Sequence, residues 1–173
     1  MDFNTKIKNA EFWFAQAFQL YEASKTLFNS MISRESSENL RVGAHKGSAF
    51  LLGISIENAL KGVLAYRGQL VIENDKLKPS KSFPNCAAHD LFALITLLNI
   101  NVDNDEAELL KRLSIYTIWA GKYGTPLSKN DFEKSDSLLF QKPSDFTLAS
   151  NLLLKLQKIA GFKSESGWPN LCS

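Results

Sequence analysis

The stretch Gly53–Gly68, "GISIENALKGVLAYRG", decides the fold. It sets Glu57 and Lys61 four residues apart inside a run that is otherwise apolar. Read back to Asn39 or His45, the run makes one helix that ends near Tyr66. At about 100° per residue, Ala49, Leu52, Ile56, Ala59, Leu60 and Val63 share a face, and Phe50, Ile54 and Leu64 fall opposite. A helix that is apolar nearly all round is central and covered by its neighbours. "YRG" closes it, with Gly68 suited to the left-handed cap conformation. Two charges in such a helix are either structural, with Glu57 holding Lys61 or His89 and fixing the helix register, or part of a site. Glutamate four residues before lysine is the favourable orientation. Exposed, such a pair contributes only about 0.3–0.5 kcal/mol. On a central helix, loss of one partner strands a buried charge at a cost of about 3–5 kcal/mol.

Upstream, Asn4 to Met31 carries Ala10, Trp13 or Phe14, Ala17, Leu20 or Tyr21, Leu27 or Phe28 and Met31 at three- and four-residue steps, a helical stripe. Its aromatics Phe12, Trp13, Phe14, Phe18 and Tyr21 read as core packing rather than as ligand-stacking groups. "SRESSENLRVG" interrupts the pattern, and Ser36, Ser37 or Asn39 is a candidate cap for the central helix.

Downstream, a loop of about 20 residues holds Pro79 and Pro84, a length that marks a functional or mobile connection. "NCAAHDLFALITLL" reads as a short third helix with Leu91, Leu94, Ile95 and Leu98 inward and Asn85 or His89–Asp90 at its start. "DEAELLKRLSIYTIWAG" is a fourth, with Asp105 and Glu106 at the acidic start and Gly121 at the end. "KYGTPLSKNDFEKSDS" reads as a loop, and Ser144 to Ile159 as a last helix with Phe146, Ala149, Leu152, Leu153 and Leu156 inward. No segment alternates like a strand. The expectation is an all-α, up-down bundle of four to five helices, one domain over 1–162 with a flexible tail over 163–173.

Composition narrows the function classes. Of 173 residues, 45% are hydrophobic and 22% charged, the profile of a soluble globular chain. Twenty Lys and Arg against 18 Asp and Glu leave a net charge of +2, too weak for a duplex-DNA stripe. "NDKLKPSKS", with Lys76, Lys78 and Lys81, reads as a solvated loop. Cys86 and Cys172 belong to no CxxC or Cys/His cluster, so no zinc site is expected. A disulfide between them has no support in the sequence, and lone thiols fit a reducing cytoplasm. "MDFNTKIKNAEFW" lacks the apolar core of a signal peptide, and no window of 18 residues is free of charge, so no membrane segment is expected. His45 and His89 are the only histidines, and no GxSxG, HExxH, GxxxxGK[ST] or GxGxxG occurs. No catalytic residue, cofactor or metal ligand is therefore assigned.

Three pieces in order resemble one family: "AFLLGISIENALKGVLAYRG" with its E-x-x-x-K, "HDLFALITLL" with its H-D-L start, and "LLKRLSIYTIWAGKYGTP" with an aromatic, basic, tyrosine, proline exit. Together, over Ser48 to Pro126, they look like the HEPN superfamily of nucleotide-binding helical domains. Many members of that family are metal-independent RNases that use R-x4-6-H on the later helix. Here Arg112 stands on that helix, but the positions where the histidine belongs hold Thr117, Ile118 and Trp119. Another branch lacks the motif and binds nucleotide, RNA or a protein such as a nucleotidyltransferase in bacterial stress and defence systems. The resemblance implies this branch: a non-catalytic cytoplasmic homodimer, with a divergent RNase or toxin and a purely structural dimerisation domain as alternatives. It marks Glu57, Lys61, His89, Arg112, Lys122 and Tyr123 as ligand-binding candidates. Arg112, Lys122 and Tyr123, at a helix exit, are expected to be the most accessible.

Overall fold

A computed structural model describes residues 2–31, 37–84, 86–87, 89–135 and 138–169. The chain is mostly helical, 68% helix against 4% strand, as an all-α bundle requires. The helices are α1 (Phe3–Lys8), α2 (Ala10–Met31), α3 (Glu38–Tyr66), α4 (Pro79–Ser82), α5 (Leu91–Leu97), α6 (Asn104–Ile115), α7 (Lys129–Ser135) and α8 (Pro143–Ile159). A π-helical turn, Tyr116–Ala120, prolongs α6.

The cross-helix partners give the directions. Ser24 and Ser48 exchange hydroxyl-to-carbonyl hydrogen bonds of 2.7 and 2.9 Å, and the Ser55 hydroxyl donates to the Ala17 carbonyl at 2.6 Å. As α3 advances, its partners on α2 step backwards, so the two run antiparallel. Arg112 meets Asp145 while Glu106 meets Lys155, so α6 and α8 are antiparallel too. Phe28 packs on Phe146 while Phe14 packs on Trp168, which sets the chain through α8 against α2. The four long helices therefore alternate up and down.

Helix α3 is the centre. Ser37 caps it by accepting from the Leu40 amide, and from Ala44 to Ala65 buried residues point in every direction. Gly68, at φ +67°, closes it as expected, with its amide bonded to Ala65 and that of Gln69 to Leu64. By length and composition α3 is the one described helix able to cross a membrane, but 72% of its most apolar window is buried inside the bundle. That is the position of a core helix.

Some expected boundaries move. The first helix breaks at Asn9, whose extended backbone and side chain cap the new start by accepting from the Glu11 amide. The long connection holds a two-stranded hairpin, β1 (Ile72–Glu73) with β2 (Lys76–Leu77), turning through Asn74 and Asp75, both at positive φ. The expected loop after Pro126 contains α7. Lys163 and Gly167 pair their backbones, and Trp168 packs on Phe14 and Phe162 at 5.2 Å. The segment from 163 to 168, expected in a flexible tail, is thereby tied to the bundle by an indole. Ser36, Asn85 and Cys172 lie outside the described residues.

Candidate functional site

Helix α3 positions Glu57 so that its side chain is only 4% exposed. One carboxylate oxygen accepts from Lys61 Nζ at 2.6 Å, and the other faces His89 Nδ1 at 2.9 Å. Burial alone pushes this carboxyl up. The Lys61 ammonium and the hydrogen bonds from Lys61 and His89 outweigh burial together and hold the group below its usual value. An ionised carboxylate only accepts, so His89 donates through Nδ1. Its Nε2 then has no hydrogen-bond partner among the described residues. The Lys61 and His89 side chains stay 21% and 39% exposed. Glu57 thus acts as a buried anchor for two basic groups that reach the surface.

His89 is held with unusual care. Its φ of +73° is rare for a residue with a β-carbon. Its carbonyl accepts from the Thr117 hydroxyl at 2.7 Å. Thr117 belongs to the π-helical turn, and the same hydroxyl also reaches the Leu113 and Ser114 carbonyls at 3.2 and 3.0 Å. A hydroxyl drawing on carbonyls of the preceding turn weakens the regular ladder, which is the physical setting for the wider turn. Gly53 makes room for it: a β-carbon there would meet Thr117 Cγ2 at 2.5 Å. Asp90 follows as the cap of α5, accepting from the Ala93 amide at 3.0 Å.

The remaining candidates lie elsewhere. Arg112, expected among the accessible groups, is buried. Its guanidinium makes a bidentate pair with Asp145 at 2.9 and 2.8 Å, donates to the Phe140 carbonyl at 3.1 Å and stacks on the Phe140 ring at 4.4 Å. The cause is α8, whose first turn aims Asp145 at α6, a partner 33 residues away that no local spacing reveals. Lys122 is exposed, with Nζ 5.9 Å from the centre of the Phe50 ring, and Tyr123 is exposed beside it. Glu57, Lys61 and His89 therefore converge, and Arg112, Lys122 and Tyr123 do not join them. Glu106 serves the start of α6, closing a capping box with Asp103, and pairs with Lys155 at 2.9 Å. Asp105 sits in the same acidic first turn.

A second histidine contact escaped the sequence. His45 Nε2 lies 2.9 Å from the Tyr116 hydroxyl, across 71 residues of chain. Burial pushes the Tyr116 phenol up to about 12, so it stays protonated and donates. Burial also pushes the His45 imidazole below its usual value, with Lys46 adding repulsion and a hydrogen bond to the Leu139 backbone opposing. The neutral ring is the acceptor that Tyr116 needs. Cys86 is a free thiol whose pKa burial and Asp90 raise, which leaves it a poor nucleophile. Among the described residues, no group of His, Cys, Asp and Glu is placed to hold a metal ion. Comparison with protein-family models, characterised proteins and solved structures finds no match to this chain.

Proposed function

We propose that the chain is a non-catalytic helical binding module, similar to the HEPN branch that lacks the histidine motif, and that it takes nucleotide or RNA at the Lys61–His89 edge of the bundle. One observation carries this reading: a single buried carboxylate orients two part-exposed basic side chains, and one of them, Lys61, has its Nζ 5.7 Å from the centre of the Trp13 ring. A phosphate needs positioned donors, and anchored side chains lose less freedom on binding than free ones. The commitment of Arg112 to Asp145 argues against phosphate chemistry at the family's usual place. A homodimer, a nucleotidyltransferase as protein partner and a cytoplasmic setting come with the resemblance and rest on it alone.

The test is fluorescence anisotropy of a short labelled single-stranded RNA with the full chain, with a gel to follow its integrity. The expected result is saturable binding without cleavage, weakened about tenfold or more in Lys61→Met and in His89→Gln while circular dichroism stays helical. A wild-type protein that binds neither this RNA nor a mononucleotide ends the reading. A second reading, a divergent metal-independent RNase, draws on the Glu57–His89 pair. An acid holding Nδ1 and leaving Nε2 unpartnered is the arrangement of a general base. Cleavage of the same RNA in chelator, lost in His89→Gln, decides for it.

A further inference from the structure

Beside the Glu57 cluster lies a groove of about 390 Å³ between α1, α2 and α3. Phe3 and Phe12, two of its walls, are 47% and 39% exposed, so their rings are not used by the core. Trp13 lines the groove as well and is fixed by donating Nε1–H to the Ile7 carbonyl at 2.7 Å. The aromatics of the first helical stripe thus divide: Phe14 is buried, while Phe12 and Trp13 turn to this surface.

The chemistry of the lining selects an occupant. It contains no carboxylate, and Lys6 Nζ hangs 5.5 Å from the centre of the Phe12 ring. Gln16 and Asn58 supply carboxamides. Asn58 spends one N–H on the Ile54 carbonyl, which leaves its oxygen to accept. Stacking faces, carboxamides and cations in a space of small-molecule size match a heteroaromatic base with its phosphate. Lys61, over the face of Trp13, joins this groove to the His89 edge. In a duplex the neighbouring base pairs cover the faces that the rings would stack on, so the occupant is an unpaired nucleotide.

We infer that the Phe3–Phe12–Trp13 groove seats one unpaired nucleotide of single-stranded RNA, its base on the aromatic walls and its phosphate toward Lys61 and His89. The inference rests on reading Lys61 and His89 as phosphate-binding groups. Its test is again anisotropy with the full chain, comparing a labelled single strand, the same strand as a duplex, and an abasic strand of equal length. Phe3→Leu with Phe12→Leu keeps the groove apolar but removes stacking, and Phe3→Tyr with Phe12→Tyr keeps stacking. The expected result is that the leucine pair binds the single strand about tenfold more weakly, the tyrosine pair binds as wild type, and both bind the abasic strand as wild type does. The duplex competes poorly throughout. A leucine pair that binds the single strand as wild type overturns the groove. If Lys61→Met still loses binding in that case, the phosphate reading survives alone. Wild type that binds a mononucleotide but no RNA overturns this inference alone, and wild type that binds neither removes both.

Discussion

Arg112 shows how a residue chosen for its charge acquires a different role from its surroundings. Its pair with Asp145 is buried at both ends, with side chains 7% and 1% exposed. Asp145→Ala leaves the guanidinium without its anion, and the expected loss is about 3–5 kcal/mol in urea unfolding. The double change Arg112→Met, Asp145→Leu is expected to cost clearly less, because no charge is stranded. Equal losses in the two proteins would show that the pair contributes more than mutual neutralisation. His45 yields a pH dependence. In the unfolded chain it takes up a proton near pH 6.5, and in the fold its value is lower. Between those values the unfolded chain binds the proton and the folded chain does not. Stability from this site is therefore full above pH 6.5 and falls as acidification passes below it. The urea midpoint of His45→Gln is expected to fall less than that of wild type across this window, and parallel curves would refute the assignment. Glu57 with Lys61 was legible in the sequence because helical spacing alone makes them neighbours. His89 was legible as an alternative to Lys61 for the Glu57 carboxylate, and the fold, which closes the 32 residues between them, lets the carboxylate hold both. Asp145 and Tyr116 were not legible as partners, since nothing local ties them to Arg112 or His45.

Among the elements, the π-helical turn and Gly53 form one unit. Replacing a mid-helix glycine by alanine ordinarily stabilises by up to about 1 kcal/mol. At Gly53 the added carbon would press on Thr117 Cγ2 and lie 3.4 Å from the Leu113 carbonyl. Gly53→Ala is expected to destabilise by about 1–3 kcal/mol, the range for overpacking. Thr117→Ser removes the colliding methyl and keeps the hydroxyl that holds the His89 carbonyl. Gly53→Ala with Thr117→Ser is therefore expected to recover much of the loss, and strict additivity in a double-mutant cycle would show that the two residues do not interact. The central helix was readable because its apolar positions surround the whole axis. The short elements were not. The break at Asn9 depends on one side-chain cap, the hairpin on two residues at positive φ, and α7 on a single turn or two within a polar stretch. The π-helical turn leaves no periodic trace in "YTIWAG", since it depends on where one threonine hydroxyl finds its acceptors.

At the scale of the molecule, charge bounds what the proposed RNA contact can be. A net charge of +2 spread over 173 residues gives little long-range attraction for a polyanion. Binding must then come from a few positioned groups and from stacking. Each phosphate neutralised on a single strand contributes about −0.7 to the slope of log K against log salt. With Lys61 and His89 turned toward one phosphate, a single neutralised phosphate predicts a slope of about −0.7. The measurement is anisotropy over a salt series. A slope steeper than about −3 would mean four or more phosphate contacts. The bundle would then have to bind RNA over a broad basic surface, and the Glu57-anchored pair would be at most one part of it.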